Sequence, residues 1–364
     1  MRDVFPVPGL TIKNISKSYG NTKVLDNVNI QIQDGEFGVI VGPSGSGKTT
    51  LLNIIAGFVK PDNGEIIMDG KILNQIPPRD RNIGMVFQEF GLFSHMTVRK
   101  NISFGLEIKK INKKDIGKKV TEIADTLKIG ELLDKKPGIL SGGEAQRVAT
   151  GRTLVTNPLL FLFDEPMGNL DANLRREMVA EIKRLHLKLK KTFIYVTHDQ
   201  EQALCVADRV IIMKEGRLLQ EGHPRKIYNY PESFFVAEFF GIQSMNFIDG
   251  IIIKQENGSL FRGGGLTVML KGYYPSEKTE VILGIRPEDI IIGNQVQEDG
   301  FGIISSLEFL GDIKQVYLTL EQEKPLIAII SPKERYGLGE KVKIKLKENK
   351  AFLFSKEHGG RLYP

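Results

Sequence analysis

Residues 37–50 read FGVIVGPSGSGKTT, and this stretch decides the fold. Phe37–Val41 is a short apolar run that predicts a buried strand ending in a glycine-rich turn. Lys48–Phe58 then carries apolar residues nearly all round, which predicts a buried helix. Between strand and helix, Gly42, Gly47, Lys48 and Thr49 match the pattern G-x-x-x-x-G-K-[ST]. Gly42, Gly45 and Gly47 let the backbone N–H groups of a loop that also holds Pro43, Ser44 and Ser46 curl around an anion with no Cβ in the way. Lys48 sets a positive charge on the outer phosphates of a nucleotide, and Thr49 offers a hydroxyl to Mg²⁺. The helix whose first turn holds Thr50 aims its positive end at the same phosphates.

Outward from this loop, the first two-thirds of the chain alternates short apolar runs with helical patterns, which predicts an α/β domain with a mainly parallel sheet. Leu159–Phe163 (LLFLF) and Phe193–Val196 (FIYV) are further buried strands. A helix-rich stretch runs from about Val98 to Thr156 without strand patterns. The character changes near Gly241. Beyond it come short strands, LTVML at 266–270, VILGI at 281–285, VYLTL at 316–320 and LIAII at 326–330, and the alternating KVKIKLK at 341–347. Turns at Gly263–Gly265 and Gly337–Gly339 separate some of them, and together they predict a second, all-β domain built as a small barrel.

Composition agrees with two globular domains. The 364 residues are 41% hydrophobic and 26% charged. The N-terminal MRDVFPVPGL lacks the apolar core of a signal peptide, and no apolar run reaches the ~18 residues of a membrane span. The formal charge of +6 is compatible with an acidic partner, but the basic residues are scattered except in Lys109–Lys119, which reads as a solvated helix face. A single cysteine, Cys205, excludes an intramolecular disulfide, suits a reducing compartment and reads as a small buried apolar residue.

Three further segments carry chemistry. Asp164 and Glu165 directly follow the strand LLFLF, at the strand end where α/β sheets bind ligands. Asp164 suits a Mg²⁺ contact, and Glu165 can reach a water aligned on the γ-phosphate. His198 ends the strand FIYVT at the same sheet edge and can donate to that phosphate, whereas His95, His186, His223 and His358 read as packed or exposed. Ser141-Gly142-Gly143-Glu144 opens a helix as a capping box, but two glycines in a first turn weaken a helix. They do allow an anion close to its N-terminus.

In this order the motifs resemble the ATP-binding subunit of ABC transporters, over roughly Leu10 to Gly241. Gly42–Thr49 looks like the Walker A motif, Ser141–Gln146 the signature motif and Leu160–Glu165 the Walker B motif. Gln88 resembles the Q-loop glutamine, Pro166–Asp171 the D-loop, His198 the switch histidine and Tyr19 the aromatic that stacks on adenine. The resemblance implies a P-loop NTPase with a RecA-like core sheet and a helical subdomain at about 98–156, ahead of an OB-like barrel in 241–364. It implies ATP and Mg²⁺ as ligands, with Thr49, Gln88 and Asp164 at the metal and Glu165, His198 and Gln88 at the reacting phosphate. The nucleotide would lie against Tyr19, the loop of Gly42, Pro43, Ser44, Gly45, Ser46, Gly47, Lys48, Thr49 and Thr50, and Ser141, Gly142, Gly143 and Asp171. It also implies a head-to-tail dimer, or a pair with a homologous ATPase, in which the Ser141–Gly143 helix of one copy closes on the loop of the other. That pair would work on membrane permease subunits at the cytoplasmic face of the membrane, with an extracytoplasmic solute-binding protein acting indirectly.

Gly284–Asp289 (GIRPED), the closing AFLFSKEHGGRL and Gln243–Asn246 resemble the carbohydrate-importer branch with its regulatory β-domain. LFSHMTV at 92–98 has Phe93 where sugar importers often have Tyr, a feature shared with polyamine and metal-ion importers. Sugar or oligosaccharide import is therefore the leading expectation, and import of another small solute the alternative. Glu144 stands where many relatives have Gln, and Gly168 where this branch has Ser. A soluble ABC ATPase on nucleic acid is the distant alternative. It is disfavoured by one cassette, one cysteine and a barrel without dense basic and aromatic residues, so no nucleic-acid partner is expected.

Overall fold

The computed structural model describes residues 8–168, 171–241, 243–256, 258–270, 278–296, 298–321, 324–347 and 349–363. The signal-peptide reading at residues 1–7 and Asn169 and Leu170 of the D-loop stretch lie outside them. The chain forms two compact units, Met1–Arg225 and Lys226–Pro364.

The first unit opens with strands β1 (Pro8–Tyr19) and β2 (Thr22–Gln33), paired antiparallel. After β3 (Phe37–Val41) and helix α1 (Lys48–Ala56), strands β4 (Asn63–Met68) and β5 (Lys71–Ile72) join the first pair in the order β2-β1-β4-β5. The expectation of a mainly parallel sheet does not include this antiparallel layer. Its signal was the alternation of β2, which buries Val28, Ile30 and Ile32 on one face.

Beyond β6 (Ile83–Val86) come helices α2 (Val98–Ile108), α3 (Lys113–Thr126) and α4 (Gly142–Leu154), with no strand among them. Then follow β7 (Leu160–Asp164), α5 (Ala172–Leu189), β8 (Thr192–Thr197), α6 (Gln200–Val206), β9 (Arg209–Lys214) and β10 (Arg217–Gly222). The second sheet has the order β10-β9-β3-β8-β7-β6, parallel except for β10.

Period-two alternation gives this sheet two packed faces. Ile40, Leu162, Ile194 and Val196 face Leu51, Leu52, Ile54 and Ile55 of α1, and this core continues into Leu10, Ile12, Ile30 and Ile32 of the first sheet. The opposite phase packs Phe37, Phe161 and Phe193 together, with ring centroids 5.5 Å apart and edge-on for Phe37–Phe193 and 4.7 Å apart and tilted for Phe161–Phe193. Helices α2–α4 hold a core of their own around Val98, Ile102, Val120, Leu127 and Val148. Thr97, Asn112 and Ser141 cap their N-termini through side-chain oxygens.

Two readings are corrected. Lys109–Lys119 is not one helix face: α2 ends at Ile108, Lys110 turns left-handed (φ 54°), and α3 begins at Lys113, though the lysines are exposed. Cys205 is exposed, because the short α6 buries Gln202, Ala203 and Val206 and turns position 205 outward.

His186, on α5, is buried against Phe37 and Phe193. Its Nε2 donates to Gly35 O at 2.9 Å, while Nδ1 has no partner. Burial holds the imidazole below its ordinary value. The unfolded chain therefore takes up this proton first, at about pH 6.5. The stability tied to neutral His186 is full above that pH and is lost as the pH falls through and below it. We expect His186→Gln, whatever its own cost, to lose less stability than the parent between neutral and mildly acidic pH. Parallel urea midpoints in that range check this, and equal slopes would remove His186 as the cause.

Helix α7 (Pro224–Asn229) begins at the division, and the second unit continues with α8 (Phe234–Phe239) and, among the described residues, eleven strands. β11 (Asn246–Gln255), β12 (Gly258–Gly263), β13 (Leu266–Leu270), β14 (Lys278–Ile285), β15 (Ile290–Gly293) and β16 (Gly300–Phe309) come first. β17 (Lys314–Thr319), β18 (Leu326–Ile330), β19 (Lys341–Leu346), β20 (Phe352–Ser355) and β21 (Arg361–Leu362) complete the set. They form two antiparallel sheets, β13-β12-β11-β14-β20-β21 and β15-β19-β16-β17-β18, around one core.

Asp299 joins the sheets: its carbonyl accepts from Thr267 N at 2.7 Å, and its carboxylate takes Lys345 Nζ at 2.9 Å and Leu346 N at 2.8 Å. The division between units falls at Arg225 and Lys226, ahead of Gly241. Arg286, buried on the barrel side, donates to Tyr228 O at 2.9 Å and Phe240 O at 2.7 Å, and Phe234 N bonds Gly359 O. These bonds fasten both short helices to the β-domain.

Candidate phosphate-binding site

The site is built at the carboxyl ends of β3, β7 and β8. At the end of β3 the chain passes so close to β9 that a Cβ on Gly42 would lie 2.1 Å from Met213 O. Gly47 is left-handed (φ 94°) and fits against Val24 O, where a Cβ would sit at 2.8 Å. Gly45 differs from both. A Cβ there would meet nothing within 4 Å, so crowding does not account for this glycine, and its left-handed backbone (φ 80°) is what favours it. Gly47 is also the N-cap of α1 and supplies no side-chain cap, and the first turn holds no acid. The first N–H groups of α1 are therefore available to an anion. Ser46 Oγ is buried there without a partner.

Lys48 is only 5% exposed, and its Nζ donates to Gly42 O and Pro43 O, both at 2.9 Å. Burial lowers its ammonium from the ordinary value, and the nearby Glu165 and Asp164 carboxylates oppose that shift. Thr49 Oγ1 donates to Asp164 Oδ1 at 3.2 Å, which joins the loop helix to the end of β7. Burial raises the Asp164 carboxyl, and the Thr49 bond acts against it. Thr49 and Asp164 supply a hydroxyl and one carboxylate oxygen, the donor set a Mg²⁺ takes when phosphates and water complete its shell. Among the described residues no cluster of three His, Cys, Asp or Glu could hold a metal alone.

Glu165 takes a left-handed backbone (φ 43°), fixed by its N–H to Val196 O at 3.0 Å. Its Oε2 lies 3.1 Å from His198 Nδ1. Residues 197–202 hold His198 in place. Asp199 caps α6 by accepting from Gln202 N at 3.1 Å, and Gln202 Oε1 accepts from buried Tyr195 Oη at 2.7 Å and Thr197 Oγ1 at 3.2 Å. This supporting set was not singled out in the sequence, although Asp199-x-x-Gln202 is itself a capping pattern.

Gln88 joins the same edge. A Cβ on Gly168 would lie 3.6 Å from Gln88 Nε2 and 3.5 Å from Glu165 O, ordinary contacts that a serine would also make. The segment after Gln88 is tied down on two sides. Asn101 of α2 accepts from Phe93 N at 2.8 Å, and Arg152 of α4 donates to Phe90 O at 3.3 Å and to Gly91 O.

Ser141, Gly142, Gly143 and Asp171 form a second cluster, where α4 and α5 begin. Ser141 makes the expected capping box with Glu144. A Cβ on Gly143 would lie 3.0 Å from Leu174 Cδ1, and Asp171 accepts from Asn173 N at 3.1 Å and Leu174 N at 3.0 Å. Tyr19 stands apart at the end of β1, 51% exposed, with Lys17 Nζ 5.5 Å from its ring centroid.

Comparison with known proteins matches the same segments. The ABC transporter family matches residues 25–168, the MalK OB fold domain residues 244–290 and the TOBE domain residues 283–354. The maltose/maltodextrin import ATP-binding protein MalK of Aliivibrio fischeri is 41% identical over 91% of this chain and 92% of its own length. The sn-glycerol-3-phosphate import ATP-binding protein UgpC of Bartonella bacilliformis is 40% identical over 97% and 99%. Among solved structures, an ATP-binding cassette in a dimeric post-hydrolysis state bound to ADP and Pi aligns with a TM-score of 0.54 at 35% identity. The alignment covers 59% of this chain and 99% of that one.

Proposed function

This chain belongs to the ABC-transporter family of ATP-binding proteins, as an ATPase coupled to import, and on that premise we propose which of its residues perform the work and on what. The observation that carries the reading is the convergence of Lys48, the Thr49–Asp164 bond and the Glu165–His198 pair at neighbouring strand ends of one parallel sheet.

The Gly42–Thr50 loop and Lys48 hold the phosphates of ATP, and Tyr19 stacks on the base. Thr49, Asp164 and Gln88 would hold Mg²⁺, which when bound would neutralise charge on the outer phosphates. Glu165 takes a proton from the attacking water, and His198 donates to the γ-phosphate. Ser141, Gly142, Gly143 and Asp171 serve the nucleotide of a second copy, or of a homologous ATPase. Each reaction site is thereby completed by two chains.

No helix among the described residues is long and apolar enough to cross a membrane. We place the chain as a peripheral subunit on the cytoplasmic face, against permease subunits served by an extracytoplasmic binding protein. Phe58 and Phe87, exposed with ring centroids 6.1 Å apart, offer an apolar surface beside Gln88 for a cytoplasmic helix of the permease. The names of the relatives favour a sugar, oligosaccharide or sugar-phosphate-like solute, and the β-domain serves as a regulatory module.

Purification of the tagged chain from its native membranes is expected to recover two polytopic permease subunits. Its deletion is expected to abolish uptake of one carbohydrate. Recovery only from the soluble fraction, without polytopic partners, would sink the reading, and loss of polyamine or metal-ion uptake instead would reassign the solute.

A further inference from the structure

Glu144 occupies, from within its own chain, the helix start that the proposed function assigns to another copy's phosphate. Its Oε2 accepts from Ser141 N at 2.8 Å, and its own N–H bonds Ser141 Oγ at 3.3 Å. Both halves of the capping box are therefore made. The Ser141 N–H bond is the main cause that holds the Glu144 carboxyl below the usual carboxylate range, so at neutral pH it carries a full negative charge. The cations that act on it are Lys135 and Arg147, and Arg147 is engaged 3.0 Å from Glu181.

An anion at a helix N-terminus is stabilised by the helix dipole and by unpaired N–H groups. Here two of those N–H groups, of Ser141 and Glu144, are already taken, and a charge of the same sign as the incoming phosphate stands beside them. Neither Gly142 nor Gly143 adds a side chain at this helix start, so the obstacle that Glu144 sets is one of charge and hydrogen bonding.

We propose that Glu144 is an intrachain competitor of the γ-phosphate held by the partner copy, and that it sets the ATP concentration at which the two copies close. Closure then requires the Glu144 carboxylate to give up Ser141 N–H or to share it against like-charge repulsion. The inference rests on the assignment of Ser141–Gly143 as the lid of a second copy's site.

A capping box accepts Gln as readily as Glu at its third helical position, so Glu144→Gln removes the charge and keeps the cap. Glu144→Ala removes both.

The test is made in full-length protein carrying Glu165→Gln, by light scattering of the dimer against ATP concentration at low and high salt. With Glu144→Gln added, half-maximal dimer is expected at about three- to tenfold lower ATP at low salt. The gap should narrow at high salt, where the repulsion is screened. Glu144→Ala should shift in the same direction. Binding of a fluorescent ADP to the separate copies, which reads the Lys48 loop alone, should not change.

An unchanged or higher half-maximal ATP in Glu144→Gln overturns the proposal. So does a gain that is equally large for ADP on separate copies, since that effect would lie outside the lid. If the Glu165→Gln parent forms no ATP-dependent dimer at any concentration, the two-copy reading itself fails, and the proposal falls with it.

Discussion

Glu165→Gln is expected to bind ATP as the parent does, to lose about 10²–10⁴-fold in hydrolysis, and to accumulate as an ATP-bound dimer. The substitution is nearly isosteric. The Glu165 N–H still reaches Val196 O, the left-handed turn at the end of β7 is kept, and the amide can still meet His198 Nδ1. What disappears is the oxygen that, in the proposed function, takes the proton from water. Steady-state phosphate release, nucleotide titration and light scattering read the three parts separately. Turnover within a few-fold of the parent would remove Glu165 as the base.

Lys48→Ala should fail one step earlier. The ammonium is buried at the loop mouth, bonded to Gly42 O and Pro43 O, and becomes a charge-assisted donor when phosphate arrives. Hydrogen bonds to charged groups contribute ~1.5–3 kcal/mol, which corresponds to about ten- to hundredfold weaker ATP binding. Alanine suits the first turn of α1, so the fold should survive. Calorimetric titration checks the affinity, and parent-like binding would mean that the loop backbone alone holds the phosphates. Weak binding in Lys48→Ala beside tight binding without turnover in Glu165→Gln separates the holding group from the reacting one.

The phosphate loop was legible because its requirements are local. Glycines at 42 and 47, a lysine and a hydroxyl must follow a strand in fixed order, and the contacts at Met213 O and Val24 O explain why two of those positions carry no side chain. The sequence reading gave Gly45 the same reason, room for an anion, but no atom crowds it, so its left-handed backbone alone favours glycine there. The buried strands at 160–164 and 192–197 were legible for a related reason, since a sheet covered on both faces leaves an unbroken apolar run.

Long-range facts were not legible. The antiparallel layer of β1, β2, β4 and β5 depends on pairings such as Leu10 with Met68, which periodicity within one strand does not reveal. The orientation of Cys205 depends on which stripe of a two-turn helix meets the sheet. The Gln202 support beneath His198 depends on Tyr195 of β8, whose hydroxyl reaches it across the turn into α6. The capping box, by contrast, was legible. Ser141-x-x-Glu144 was readable as a capping box in which Glu144 reaches back, and the carboxylate does sit on Ser141 N–H.

Helix α1 is finished at one end only. At its C-terminus the buried Arg81 donates to Ile54 O at 2.8 Å and Ile55 O at 2.7 Å, so the carbonyl end has a permanent counter-charge. At its N-terminus neither a side-chain cap nor a first-turn acid is present. In the proposed function the anion at that end is the nucleotide, which would link ligand occupancy to folding free energy through this one helix. At a ligand concentration about a hundredfold above Kd such linkage adds about 2.7 kcal/mol to stability. The melting temperature of this protein should therefore act as a gauge of the nucleotide level around it.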